Sequence, residues 1–291
     1  MRRLFVVFAS LALVTAANSQ ETPRGHLVLI GGGERPVAAM AKFVELAGGP
    51  EALILVLPTA SQDPDYIGKL VDSFKKDYGC RNVKLLNVRT PPDALRRDYV
   101  ELVERAGGIF FSGGDQTRIV TALKDSPLQA AIRAAYLRGA VVGGTSAGTA
   151  CMSPLMITGE GNFDVVRPKA VELWPGLGLF PGAILDQHFL ARRRFNRLLT
   201  VVLEHPELLG VGIDEDTAVW LKPDGTFEVL GASSVLVVDA RSTEIRIEAS
   251  GEARRGVFSA SPLTVHVLAA GDRFDLTTRR PFAPSATSPQ P

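Results

Sequence analysis

Residues 140–148, with the sequence AVVGGTSAG, connect a short apolar strand to the start of a helix through a glycine-rich turn. Residues 144–148 match the pattern G-x-S-x-G, in which a sharp turn between strand and helix raises a serine hydroxyl above the sheet. Glycines flank the serine because larger side chains would clash in so tight a turn. The first amide groups of the helix are then available to a developing oxyanion. The stretch predicts an α/β fold with Ser146 as candidate nucleophile, the alternative being an ordinary turn.

Short apolar runs alternate with amphipathic segments on both sides of this turn. The predicted elements are strands at residues 26–30, 52–57, 83–87, 109–111 and 140–142, and helices at 36–46, 66–78, 98–105 and 117–138, the last broken at Pro127. Continuous apolar strands separated by helices indicate a mostly parallel sheet with helices on both faces. Residues 219–221 and 227–230 flank an Asp-Gly turn and predict a hairpin. With further short strands to about residue 267, this hairpin is expected to form an antiparallel C-terminal extension of the same domain.

Composition excludes several classes of protein. Lys+Arg 32 against Asp+Glu 31 gives a formal net charge of +1, which leaves no basic surplus for binding nucleic acid. Hydrophobic residues make up 46% of the chain, too many for a disordered protein. Cys80 and Cys151 are too few for a disulfide framework, and we expect two unpaired thiols. No cluster of cysteines and histidines suggests a metal site, and we expect no metal and no organic cofactor.

Both ends of the chain are predicted to lie outside the folded domain. Met1-Arg2-Arg3 is a basic start, and the apolar run from Leu4 to Ala17 has the length of a signal-peptide core but is short for a membrane span. We therefore predict a signal peptide at residues 1–19, one α/β domain at 20–280 and a flexible tail rich in Pro, Ser and Ala at 281–291. The processed protein is expected to be extracellular or periplasmic, with no stable membrane insertion.

His188 is the best-placed candidate for the base that a catalytic serine needs. It follows a predicted strand at residues 183–185, and open parallel sheets place their sites at the carboxyl ends of strands. The alternative is a histidine packed structurally by its neighbours. The predicted helix that follows carries arginines that either face solvent or hold carboxylates in a site. These are Arg192, Arg193, Arg194 and Arg197.

Three consecutive carboxylates, residues 214–216, follow another apolar strand at 211–213. Like charges this close are costly without a partner, so at least one of them is expected to be paired. A histidine whose tautomer must be fixed is one such partner. The other interpretation is a turn or helix cap, where acidic residues are common.

Four motifs in this order resemble the serine peptidases that include peptidase E and cyanophycinase, and the cyanophycinase members most closely. The motifs are GGDQ at 113–116, GTSAG at 144–148, DQHF at 186–189 with the arginines that follow, and GIDEDTA at 212–218. The resemblance extends from about Leu27 to Leu221. It implies a fold similar to class I glutamine amidotransferases, in which helices flank a mostly parallel sheet. Thr149 stands where the family usually has alanine, and the effect of its hydroxyl is left open.

The resemblance also implies roles for individual residues. Ser146 would be the nucleophile, His188 the general base and Glu215 the acid that orients it, and the amides of Gly114 and Ala147 would line the oxyanion hole. The implied substrate-binding residues are Gln116, Asp186, Gln187, Arg192, Arg194 and Arg197.

The activity implied by the resemblance is hydrolysis of cyanophycin, a poly-aspartate with arginine on each side-chain carboxyl, to β-Asp-Arg dipeptides through an acyl-enzyme on Ser146. A homodimer is also implied. Three alternatives stay open: an aspartyl dipeptidase that acts on small peptides, an α/β-hydrolase with the triad Ser146, Asp239 and His266, and an exported binding protein without catalysis.

Overall fold

The computed structural model describes residues 22–248 and 256–282. The predicted signal peptide at 1–19 and residues 283–291 of the predicted tail lie outside the described residues. Among the residues that are described, no helix has both the length and the apolar character needed to cross a membrane.

The chain alternates strands and helices as far as residue 145 and is then mainly β. The strands are β1 Leu27–Ile30, β2 Leu53–Leu57, β3 Asn82–Leu85, β4 Gly108–Phe111, β5 Val141–Thr145, β6 Leu155–Gly161, β7 Val171–Pro175, β8 Ala183–Gln187, β9 Leu209–Ile213, β10 Thr217–Leu221, β11 Thr226–Gly231, β12 Val235–Asp239, β13 Glu244–Glu248, β14 Val257–Ser261, β15 Thr264–Leu268, β16 Arg273–Asp275 and β17 Arg280–Phe282. The helices are α1 Val37–Leu46, α2 Pro64–Lys76, α3 Arg97–Arg105, α4 Gln116–Leu123, α5 Pro127–Arg138, α6 Ala147–Ala150 and α7 Phe195–Glu204, with a 3₁₀ helix at Pro91–Leu95.

The central sheet has the strand order β17-β16-β11-β10-β1-β5-β4-β2-β3. Five neighbouring strands are parallel to one another: β1, β5, β4, β2 and β3. On the other side of β1, the sheet is extended by antiparallel strands, β10, β11, β16 and β17. This confirms the predicted α/β fold with an antiparallel C-terminal extension. The hairpin predicted around Asp224 and Gly225 is β10–β11, in which Leu221 pairs with Phe227.

Successive residues of β1 bury opposite faces of this sheet. Leu27 and Leu29 belong to one core cluster with residues of α3, α4 and α5, whereas Val28 and Ile30 belong to the cluster that contains α1 and α2. The second cluster includes a triangle of phenylalanines on α1, α2 and β4, whose ring centroids are 5.3–5.7 Å apart. The sequence of a strand that is buried on both faces is an unbroken apolar run, and this is why the parallel strands were predictable.

A second sheet, of order β15-β12-β9-β8, was not predicted. β8 and β9 pair in parallel, but they join this smaller sheet and not the central one. An apolar run indicates a buried strand and carries no information about its neighbours. The consequence for function is that the end of β8 meets the end of β1, where the His188 amide donates to the Gly31 carbonyl over 2.7 Å.

Two local predictions were wrong. The helix expected directly after β8 begins only at Phe195, because residues 189–194 form turns in which Arg193 has φ +54°. The flexible tail predicted from residue 281 does not include residues 281 and 282, since β17 extends to Phe282 by pairing with β16. Pro281 is tolerated there because β17 is an edge strand.

Both cysteines, Cys80 and Cys151, are buried and unpaired, as predicted.

Candidate active site

Ser146 occupies a strained turn between β5 and α6. Its φ of +53° and ψ of −111° lie in a region that residues other than glycine rarely adopt. The turn is closed tightly, since a Cβ on Gly144 would lie 2.3 Å from the carbonyl oxygen of Gly148. The buried Thr149 hydroxyl lies 2.7 Å from the carbonyl oxygen of Ile30 and so ties α6 to β1. The threonine that departs from the family pattern therefore braces the serine turn.

Ser146, His188 and Glu215 form a continuous hydrogen-bonded relay. The Oγ of Ser146 lies 2.8 Å from Nε2 of His188, and Nδ1 of His188 lies 2.5 Å from Oε1 of Glu215. The serine follows β5 of the central sheet, while the histidine and the glutamate follow β8 and β9 of the smaller sheet. This is the arrangement by which an acid orients a histidine that accepts a proton from serine. The structure brings the three predicted residues together, and their catalytic roles stay predictions.

The surroundings of His188 favour the neutral imidazole that a general base requires. Burial lowers its pKa below the ordinary value, and the nearby charges of Arg192 and Arg194 lower it further, against the raising effect of Glu215. His188 is therefore expected to remain able to accept a proton at a lower pH than an ordinary histidine.

Replacement of Glu215 with glutamine is expected to lower kcat by roughly 10²- to 10⁴-fold because the imidazole loses its orienting carboxylate. The acid limb of kcat/KM should also move to lower pH, since the group that raises the pKa of His188 is neutralised. The measurement is a pH–rate profile, with Glu104→Gln on the exposed side of α3 as control. An unchanged kcat would contradict the orienting role.

The two aspartates beside Glu215 build the loop around it. Asp214 accepts the amides of Leu190 and Ala191, each over 2.9 Å, and the Ser233 hydroxyl over 2.7 Å. Burial opposes ionisation of Asp214, but these hydrogen bonds outweigh it and keep its pKa below the ordinary value. Asp216 accepts the amide of Glu34 over 2.7 Å. The three adjacent carboxylates are thus kept apart by separate partners.

Three glycines after β1, residues 31–33, make room for the relay, a role that was not predicted. A Cβ on Gly32 would lie 2.1 Å from Cε1 of the His188 ring, so no side chain fits there. The Gly32 carbonyl also accepts the amide of Asp216 over 3.0 Å. A run of three glycines at the end of a buried strand was the signal that could have revealed this close approach.

The predicted oxyanion donors lie on either side of the serine turn. The amides of Gly114 and Ala147 donate to no protein acceptor in the part of the chain that the structure describes. The neighbouring Gly113 donates to the Tyr66 hydroxyl over 3.1 Å, and a Cβ on Gly114 would lie 2.1 Å from the Ala60 carbonyl oxygen. Tyr66 and Ala60 hold the glycine loop next to the nucleophile.

Ser146 opens into a cleft of about 660 Å³. The cleft contains five of the six residues predicted to bind substrate: Gln116, Gln187, Arg192, Arg194 and Arg197. The Nε2 of Gln116 donates to the carbonyls of Ile157 and Thr158, which attaches α4 to β6. The Arg194 guanidinium donates to the backbone and side-chain oxygens of Gln187 over 2.8 and 2.7 Å. Burial and the neighbouring Arg197 lower the pKa of Arg194 to about 10, so it remains charged at neutral pH.

Asp186, the sixth of these residues, is paired inside the protein. Both of its carboxylate oxygens accept from the guanidinium of Arg197, and the two residues are 1% and 4% exposed. The resemblance implies that both residues bind substrate. In this structure they pair with each other; Arg197 lines the cleft, whereas Asp186 is not among the residues that line it.

Replacement of Asp186 with asparagine is expected to lower the free energy of unfolding by about 3–5 kcal/mol because Arg197 would remain buried without a counter-charge. Urea unfolding provides the measurement, and Asp72→Asn, which breaks an exposed pair on α2, is the control with a much smaller expected loss. Equal losses in the two variants would contradict the structural role of the buried pair.

The alternative α/β-hydrolase triad is not assembled. Asp239 pairs with Arg279 over 2.7 Å, and His266 lies on β15 with its ring against Phe274. Ser146 is bonded to His188 instead. Within residues 22–248 and 256–282, no group of three or more His, Cys, Asp or Glu side chains is arranged to hold a metal ion.

The chain is similar in sequence to known cyanophycinases. A cyanophycinase from Synechococcus elongatus is 38% identical over 261 residues, which cover 88% of this chain and 81% of the relative. A cyanophycinase from Geminocystis herdmanii is 37% identical, with 89% and 97% covered.

Solved structures share the fold. A peptidase from an acI-B1 actinobacterium superposes with a TM-score of 0.65 at 24% identity, covering 88% of this chain and 98% of that one. A putative peptidase E protein from Listeria monocytogenes gives a TM-score of 0.53 at 17% identity, with 72% and 99% covered. The profile of peptidase family S51 matches residues 27–229, which include the whole relay. The chain is therefore a peptidase that belongs to peptidase family S51.

Proposed function

We propose that this peptidase is an exported cyanophycinase that releases β-Asp-Arg dipeptides through an acyl-enzyme on Ser146. The curated relatives that match almost the whole chain bear the name cyanophycinase. The observation that carries the proposal is that the relay of Ser146, His188 and Glu215 opens into a cleft with charges of both signs. Each repeat of cyanophycin likewise carries one carboxylate and one guanidinium.

The two kinds of charge stand on different elements of the cleft. Arginines of the turn after β8, Arg192, Arg193 and Arg194, supply positive charge. Glu160 and Glu172, on the β6–β7 hairpin, supply negative charge beside the aromatic ring of Trp174. Guanidinium groups bind carboxylates as a planar fork and stack on aromatic rings, so each side complements one end of an arginyl repeat.

The chemistry needs only the residues of the relay and two amides. Nε2 of His188 accepts the Ser146 proton as Oγ attacks a backbone carbonyl carbon of the substrate, and the amides of Ala147 and Gly114 stabilise the oxyanion. The protonated histidine then gives that proton to the leaving amine. In the second half, Nε2 accepts a proton from water, the hydroxide attacks the ester carbon, and Oγ recovers a proton as the acid leaves.

Export is the second part of the proposal. It rests on the basic start and the apolar run between Leu4 and Ala17. Expression of the full chain in a bacterial host, followed by N-terminal sequencing of the product, tests it. A mature chain that starts near Gln20 supports export, and retention of residues 1–19 contradicts it.

The substrate is tested by incubating the purified chain with insoluble cyanophycin and determining the masses of the soluble products. Release of β-Asp-Arg supports the proposal. A chain that leaves the polymer intact but cleaves short aspartyl peptides would instead be a dipeptidase of the same family.

Glu172 is expected to bind the substrate guanidinium. Its carboxylate accepts the Thr158 hydroxyl over 2.8 Å, which holds it at the cleft, and it has no ion-pair partner in the described part of the chain. Glu172→Gln should raise KM for the polymer by roughly fivefold with little change in kcat, because binding loses one charged partner. Glu104→Gln is again the control, and a KM equal to that of the wild type would exclude this role.

A further inference from the structure

A furrow lies along α5 next to the active-site cleft, and apart from Trp174 its residues have no role described above. We call it the α5 furrow and define it by Lys124, Asp125, Gln129, Arg133, Trp174 and Leu177. It consists of two adjoining cavities of about 690 and 410 Å³, which share Asp125, Gln129 and Leu177. Trp174 lines both the first of these cavities and the cleft that contains Ser146. The furrow therefore adjoins the active-site cleft at Trp174.

The charges of the furrow are available to a ligand. Lys124, Asp125 and Arg133 are all exposed, and none has an ion-pair partner among residues 22–248 and 256–282. The Gln129 side chain accepts the amide of Asp125 over 2.9 Å, which fixes the start of the furrow. Both signs of charge thus lie along one surface depression, whose lining also includes Trp174 and Leu177.

The spacing of these residues matches a repeating chain. Gln129 and Arg133 are four residues apart on α5, so they lie on one face of the helix about 6 Å from each other. In an extended chain, alternate residues on one side are about 7 Å apart. A polymer that runs along α5 would present a new carboxylate and guanidinium to the furrow at nearly the same interval.

We propose that the α5 furrow is a second binding site for the polymer, which holds repeats of cyanophycin beyond those in the cleft. This inference rests on the proposed function and adds a site that catalysis of a short substrate does not need. The furrow would retain the enzyme on an insoluble particle while the chain end is cleaved at Ser146.

The test compares two substrates, insoluble cyanophycin and the oligomer of two repeats, which is too short to occupy the cleft and the furrow together. The variant is Asp125→Lys combined with Arg133→Glu, which exchanges the two charges without altering net charge. The control exchanges an exposed pair on α2, Asp72→Lys with Lys76→Asp.

The furrow variant should lose about fivefold or more in kcat/KM on the polymer and stay within about twofold of the wild type on the oligomer. In a Ser146→Ala background, less of the furrow variant than of the control should sediment with the particles. Equal losses on both substrates, or none on the polymer, would overturn the inference.

Three outcomes have separate meanings. If the furrow variant differs from the wild type in its oligomeric state in solution, the furrow is an interface between copies of the chain. That result also overturns the inference. If the wild type cleaves neither substrate, the proposed function itself fails. If it cleaves both and the furrow variant leaves their ratio unchanged, only the second site is excluded.

Discussion

Replacement of Ser146 with alanine is expected to lower kcat by roughly 10⁴- to 10⁶-fold, the largest effect of any single change in this protein. The Oγ that lies 2.8 Å from His188 is the only atom of the relay placed to form an ester with the substrate. Without it, neither half of the two-step reaction can proceed through the enzyme. Binding should be preserved, because the cleft and its charged residues do not depend on one hydroxyl.

The measurement is release of soluble dipeptide together with a stability assay. Ser146→Ala should unfold at nearly the same temperature as the wild type, since alanine keeps the Cβ atom and must adopt the same backbone conformation in the turn. A serine-reactive phosphonate should label the wild type and leave the variant unlabelled. Residual hydrolysis within tenfold of the wild type would mean that Ser146 is not the nucleophile.

Replacement of Gly32 with alanine should be nearly as damaging, although Gly32 has no chemical role. The new methyl carbon would lie 2.1 Å from Cε1 and 2.4 Å from Nε2 of His188, well inside van der Waals contact, and φ at this position is +125°. The imidazole ring must therefore move, and the reaction slows strongly when the general base is displaced from the nucleophile. We expect kcat to fall by about 10³-fold or more.

Gly68 on α2 provides the matched control. A Cβ there meets no atom within 4 Å, and the residue lies inside a helix. Gly68→Ala should keep full activity and gain roughly 0.5–1 kcal/mol in free energy of unfolding. If Gly32→Ala were fully active, the relay seen here would not be the arrangement that works in solution.

Much of the fold was predictable because the parallel strands are short apolar runs bounded by glycine or proline. β2 is a continuous apolar segment stopped by Pro58, and β4 ends before Gly113 and Gly114. The serine turn was predictable for a local reason, since the glycines around Ser146 are required by the turn itself. Sequence pattern is informative wherever the cause of a conformation lies within a few residues.

The rest depended on contacts between distant residues. Nothing within β8 and β9 indicates that they leave the central sheet for a smaller one. Motif resemblance placed Asp186 and Arg197 correctly near the cleft but could not show that they are each other's partner. Gly32 is required by a ring that lies more than a hundred residues away in the chain.

The division of the relay between two sheets also makes activity sensitive to how the sheets are held together. Ser146 follows β5 of the central sheet and His188 follows β8 of the smaller one, while Glu215 lies in the short connection from β9 to β10, which joins the two sheets. The relay is complete only while both sheets keep their relative position, so a local opening between them separates the nucleophile from its base. We therefore expect hydrolysis to be lost on partial unfolding before either sheet has unfolded.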